Sequence, residues 1–138
     1  MSISIKAGPR LFEIGSSQLL HAFFSTVSFH LEPRGWGTRY PDLLVELYQG
    51  HLASKKIPKA LVELNEIKSA LSRFKPNQIV WDIENLKVRP PWGDNIAPSI
   101  QSLADYFATS DGHDLIDVLN HAMKFALEKG FDLAVVTI

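Results

Sequence analysis

The sequence predicts an α+β protein: one domain spanning residues 1–138, with a mostly antiparallel sheet and about four to five helices packed against it. Three observations carry this. The first residues alternate apolar and polar as a strand does. The last eight, 131–138, are rich in β-branched and apolar side chains. Between them the apolar period becomes helical in three long stretches, with no repeat or low-complexity tract to split the chain. A chain of 138 residues, 46% hydrophobic and 21% charged, has the composition of a globular protein that buries one core.

Residues 2–7 and 11–14 read as two strands around the turn at Gly8-Pro9. Gly15-Ser16-Ser17 then supplies a break and a serine N-cap. Leu19, Leu20, Phe23, Phe24, Val27 and Leu31 recur at helical spacing until Pro33, which marks a core helix. Residues 33–41 form a rigid loop bearing Arg34, Trp36, Arg39 and Tyr40, followed by a short helix over 42–48 that stops at Gly50. A longer helix runs from Pro58 to Phe74, with Ala60, Leu61, Leu64, Ile67, Leu71 and Phe74 as its apolar stripe.

Beyond Pro76 the alternation of residues 78–84 predicts a strand, with Ile79, Trp81 and Ile83 facing the core and Val80, Asp82 and Glu84 facing away. After a Pro-Pro-Trp-Gly loop, residues 99–104 read as a short helix and 106–109 as extended. Thr109-Ser110-Asp111-Gly112 introduces an amphipathic helix whose stripe is Leu115, Ile116, Leu119, Ala122, Met123 and Ala126. Asp111 and Asp114 suit the positive end of its dipole, and Gly130 closes it.

Composition excludes several chemistries. With no cysteine there is no disulfide, thiolate nucleophile or cysteine-ligated zinc. The N-terminus shows no signal peptide and no apolar run approaches the roughly 20 residues that cross a bilayer, so the expected compartment is the cytoplasm, with no membrane partner. The net charge of −1 hides an imbalance: residues 1–75 hold 10 Lys/Arg and 6 Asp/Glu, residues 76–138 hold 4 and 9. An acidic half suits a basic protein partner better than nucleic acid.

The five histidines, His21, His30, His51, His113 and His121, form no metal-binding motif, although His113 and His121, placed on one helix, would share a face. Asp82 and Glu84 pointing the same way from one strand, joined by Asp94 or Asp111, would make a divalent-metal cluster for phosphodiester cleavage. That metal-dependent hydrolase is the alternative reading; it lacks a lysine two residues after the glutamate, where Leu86 stands. There is no Gly-x-Ser-x-Gly elbow, and Gly35-Trp36-Gly37 has no third glycine to cradle a phosphate. Trp36, Arg39, Tyr40 and Trp92 are of the types that dominate protein interfaces, and loops display such residues.

These strings occur together in a known family. Glu13-Ile14-Gly15-Ser16-Ser17, Gly35-Trp36-Gly37-Thr38-Arg39-Tyr40-Pro41, Leu47-Tyr48-Gln49-Gly50, Val80-Trp81-Asp82-Ile83-Glu84, Pro90-Pro91-Trp92-Gly93-Asp94-Asn95-Ile96 and Tyr106-Phe107-Ala108-Thr109-Ser110-Asp111-Gly112 follow one another in the order seen there. The chain resembles the bacterial immunity protein 70 family, an antidote family of polymorphic toxin systems. The resemblance implies a non-enzymatic protein without cofactor that binds the C-terminal domain of a cognate toxin, in some systems a nuclease. It transfers no catalytic residues and fixes no contact residues. On physical grounds the expected contacts are Trp36, Arg39, Tyr40 and Trp92 as anchors and Asp82, Glu84, Asp94, Asp111 and Asp114 as electrostatic complement, on a monomer or weak homodimer.

Overall fold

Apolar alternation at the start of the chain builds the middle of the sheet. In strand β1 (Ser2–Ala7), Ile3, Ile5 and Ala7 are buried. A left-handed Gly8 turns the chain back into β2 (Arg10–Ser16), which outruns the expected 11–14 at both ends. The computed structural model describes residues 2–93 and 95–137. Two further strands, β3 (His51–Leu52) and β4 (Leu133–Thr137), complete a four-stranded antiparallel sheet in the order β2-β1-β4-β3. Ile5 pairs with Phe12 on one side and Val135 on the other, and the hairpin register slips at Ile3/Ser4.

Among the described residues there are three α-helices, of which the first and third pack against this sheet and the second packs on the other two. Helix α1 (Ser17–Leu31) opens on Ser16, whose Oγ accepts from the Leu19 N–H at 3.2 Å, and buries Leu20, Phe23, Phe24 and Val27. Helix α2 (Ile57–Leu71) carries Pro58 in its first turn, where a missing N–H costs nothing, and ends three residues before the expected Phe74. Helix α3 (Leu115–Lys129) is capped by Asp114, whose carboxylate accepts from the Ile116 N–H at 3.2 Å, and closes on Gly130 in the left-handed conformation. The expected short helix over 42–48 is a six-residue π-helical segment (Asp42–Leu47). One hydrophobic core joins β1, the three helices and Leu43, Leu44 and Leu47 of the π-helical segment. Among the described residues no helix is long and apolar enough to cross a membrane. The architecture is thus the predicted α+β one.

Three predicted elements differ. Residues 78–84 are not a strand. A 3₁₀ turn (Pro76–Gln78) leads into an irregular segment laid along α1. Its backbone is satisfied by side chains: Thr26 Oγ1 donates to the Val80 carbonyl at 3.0 Å and accepts the Val80 N–H at 3.1 Å, while His30 Nε2 meets the Gln78 carbonyl at 2.7 Å. The alternation holds only in part: Ile79 and Trp81 pack half-buried against the core and Glu84 is exposed as expected, but Val80, expected to face away, is buried. Residues 99–104 make turns rather than a helix, fastened by the Asp105 carboxylate on the Ser102 N–H and by the Leu103 N–H on Phe74. The expected strand at 106–109 is reduced to a single antiparallel bridge, Ala108 with Asp114.

Candidate partner-binding surface

The loop after α1 is organised by one buried carboxylate. Glu32 is 3% exposed, and its two oxygens accept the backbone N–H groups of Gly37, Arg39 and Tyr40 at 3.0, 3.0 and 2.9 Å. This curls residues 33–41 so that Trp36 swings over the π-helical segment and donates its Nε1–H to the Leu44 carbonyl at 2.7 Å. Gly37 permits the curl: its φ is +78°, and a Cβ there would lie 2.4 Å from Val45 Cγ2. Gly37→Ala should therefore cost about 2 kcal/mol in urea denaturation, from left-handed strain and the methyl clash together.

Trp36 meets two residues that sequence reasoning did not assign to the site. Its ring lies edge-on to Tyr48 (centroids 5.0 Å apart, 65°) and stacks with His21 of α1 (6.2 Å, 23°). His21 then bridges to the irregular segment. Its Nδ1 is 2.7 Å from Tyr48 Oη and its Nε2 is 3.3 Å from Asp82 Oδ1. Asp82 also accepts the Glu84 N–H at 2.9 Å, and that N–H, followed by His21, holds its carboxyl below the usual range. Burial pushes the Tyr48 phenol up, and the facing carboxylates Glu84 and Asp82 push it further. Among the described residues nothing pairs with the Glu84 carboxylate.

Trp81 is the hub of this face. Of the eight large apolar side chains exposed among the described residues, five are Phe29, Tyr48, Leu86, Val88 and Trp92. Each lines a groove that Trp81 also lines, of about 270, 350 and 230 Å³ respectively for the Phe29–Leu86–Val88, Tyr48–Asp82–Val88 and Pro91–Trp92–Ser110 sides. Trp92 stands edge-on to Trp81 with centroids 5.3 Å apart, donates its Nε1–H to Tyr106 Oη at 2.8 Å and remains 42% exposed.

Four of the expected site residues border linked grooves: Asp82 and Trp92 line two of these, and Trp36 and Glu84 line a further cleft that shares His21 and Tyr48 with the Asp82 groove. Asp82 and Glu84 do so from turns, not from one strand as expected. Tyr40 turns inward, while Arg39 stays half-exposed and engaged with its own chain. Tyr40 is 1% exposed rather than displayed; its hydroxyl donates to Glu66 at 3.3 Å, and burial pushes its pKa up to about 12. Arg39 is spent on its own fold, with its guanidinium on Glu66 of α2 and on the Leu31 carbonyl at 3.3 Å. The inward turn of Tyr40 follows from Glu32, which accepts its backbone N–H together with that of Arg39.

Asp94 lies outside the described residues. Asp111 and Asp114 sit elsewhere, in a cavity of about 380 Å³ beside β2 that is also lined by Arg10, Asp117, His113 and His121. His113 precedes α3 instead of lying on it, and both histidines line this cavity. Asp114 is pushed up by burial first and by Asp117 second. Among the described residues no three His, Asp or Glu side chains are grouped so as to hold a metal ion.

Exposed aromatic and aliphatic side chains gathered around one loop, beside an unpaired carboxylate, have the make-up of a protein-recognition surface. The family comparison agrees with that class. Residues 5–135 match the model of Immunity protein 70, and the chain belongs to that family. No curated protein and no solved structure matches the chain.

Proposed function

We propose that this immunity protein neutralises a cognate toxin domain by forming a stoichiometric complex, without turnover or cofactor, through the face centred on Trp81. Membership of the family supports the role. The observation that carries the site is the convergence of Phe29, Tyr48, Leu86, Val88 and Trp92 on grooves sharing one tryptophan. Apolar anchors at the centre with Asp82 and Glu84 beside them suit a partner whose contact surface is apolar at its middle and basic at its edge. A basic nuclease groove is one surface of that kind.

The test is co-expression with the C-terminal domain encoded by the gene immediately upstream, scored by co-purification and by survival of the host. A stable complex and rescued growth are expected. The double variant Leu86→Asp/Val88→Asp places charges on two exposed side chains and should weaken the complex by on the order of 100-fold, about 2.7 kcal/mol, with little change in thermal midpoint. Capture of the toxin with undiminished affinity by that variant would move the interface elsewhere, and absence of any complex would overturn the role.

A further inference from the structure

The cleft between His21, Trp36, Tyr48, Ile83 and Glu84, about 450 Å³ in volume, combines features that no structural role explains together. Three aromatic rings from three separate parts of the chain meet there: His21 of α1, Trp36 of the loop after it, and Tyr48 just past the π-helical segment. The ring centroids are 5.0 to 6.2 Å apart. Tyr48 keeps 37% of its surface in solvent although the preceding Leu47 is fully buried in the core. Glu84 lines the same cleft with an unpaired carboxylate, and Asp82 lies next to it, joined to His21. Among the described residues no lysine or arginine lines the cleft or the adjoining groove that shares His21 and Tyr48.

Aromatic faces attract a cation through their quadrupoles, and a carboxylate at the rim supplies the counter-charge. The shape of the cation follows from the walls. An ammonium is a compact, strongly hydrated point charge, which would have to shed water to approach the rings. A guanidinium is planar and weakly hydrated, lies flat against an indole or phenol, and still points a fork of N–H donors at a carboxylate in its plane. From this arrangement we infer that the cleft is a receptor for the guanidinium of an arginine carried by the protein's partner, with Glu84 as its counter-ion and Trp36 and Tyr48 as its stacking walls. The inference rests on the partner-binding reading above and gives that surface a specific chemistry: the partner presents an arginine beside the apolar segment that covers Trp81.

The test needs no toxin. The intact isotope-labelled protein is titrated with Nα-acetyl-arginine amide and, in parallel, with the citrulline analogue, which keeps the shape and loses the charge. The arginine derivative should shift the Trp36 indole and Tyr48 ring resonances saturably, with the citrulline analogue at least tenfold weaker. Glu84→Gln, at an exposed turn position, should weaken the arginine response at least tenfold at an unchanged thermal midpoint. An equal response to citrulline, no saturable shift at the cleft, or shifts confined to the Asp111–Asp117 cavity would each overturn the inference. Because the readout is on this chain alone, its failure leaves complex formation untouched, and a missing complex leaves the titration result standing.

Discussion

Glu32→Ala is expected to lower the unfolding free energy by about 3–5 kcal/mol, more than any other polar substitution in the loop that carries Trp36. Three backbone N–H groups converge on this one carboxylate, which is 3% exposed. Truncating it strands buried donors at roughly 1–3 kcal/mol each, partly relieved where water can enter. For a chain of 138 residues the fall corresponds to a thermal midpoint lower by about 10–20 °C. Glu32→Gln sets the mechanism apart from simple loss of volume. Its single carbonyl oxygen can replace either the oxygen serving Gly37 or the one serving Arg39 and Tyr40, so it should fall between wild type and alanine. Denaturant titration followed by tryptophan fluorescence measures both. A loss under 1 kcal/mol for alanine would mean that the loop is held by Trp36 on the Leu44 carbonyl instead.

Glu63 should give the protein a stability that declines as the pH rises from about 4.5 to about 7. Its carboxyl is 5% exposed and burial pushes its pKa up to about 7, against the pull of the Leu43 and Asp42 N–H groups it accepts and with added repulsion from Asp42. The folded state therefore holds this proton more tightly than the unfolded chain, whose glutamate titrates near the usual 4.5. Between those two values the native state binds more protons than the unfolded one, and the linkage relation makes the unfolding free energy fall with pH. Below about pH 4.5 the penalty is absent; above about pH 7 it is complete. Between pH 5 and pH 8, wild type should lose about 2–3 kcal/mol relative to Glu63→Gln, whose amide does not titrate there. The amide forfeits one of the two accepted bonds, but that cost is the same at every pH and drops out of the slope. Parallel pH profiles for the two proteins would show that Glu63 stays ionised when folded.

Elements whose residues bury one stripe against the core were legible in the sequence, because the stripe itself is the signal. The stripe of α3, from Leu115 to Ala126, lies buried as the spacing requires, and Ser16 and Asp114 cap as their chemistry dictates. The segment 78–84 misled because alternation reports exposure and says nothing of what the backbone bonds to. Here a threonine hydroxyl on α1, 54 residues away, does the work of a neighbouring strand. The site was legible in part. Trp36, Asp82, Glu84 and Trp92 stood out by type and by their turn-rich surroundings. His21 did not, since its partners Tyr48 and Asp82 are 27 and 61 residues distant and only the packing of α1 joins them. Tyr48 had a signal in its place beside Gln49-Gly50, at the end of a buried run where the chain returns to the surface. The inward turn of Tyr40 was foreshadowed by an acid at the very end of an apolar helix, a position that demands donors.

The strand order β2-β1-β4-β3 seats the earliest and the latest described segments side by side at the centre of the sheet, Ile3 opposite Thr137. During synthesis β1 waits, with one edge open, while more than a hundred residues are added, and β3 has no partner at all until β4 arrives. Closure over so long a separation is slow in entropic terms, and a nascent chain with an open apolar edge is what chaperones engage. The ribosome must therefore reach residues 133–137 before the sheet can close. Deleting residues 133–137 would leave β3 with no partner and expose one edge of β1, which β2 alone would then hold.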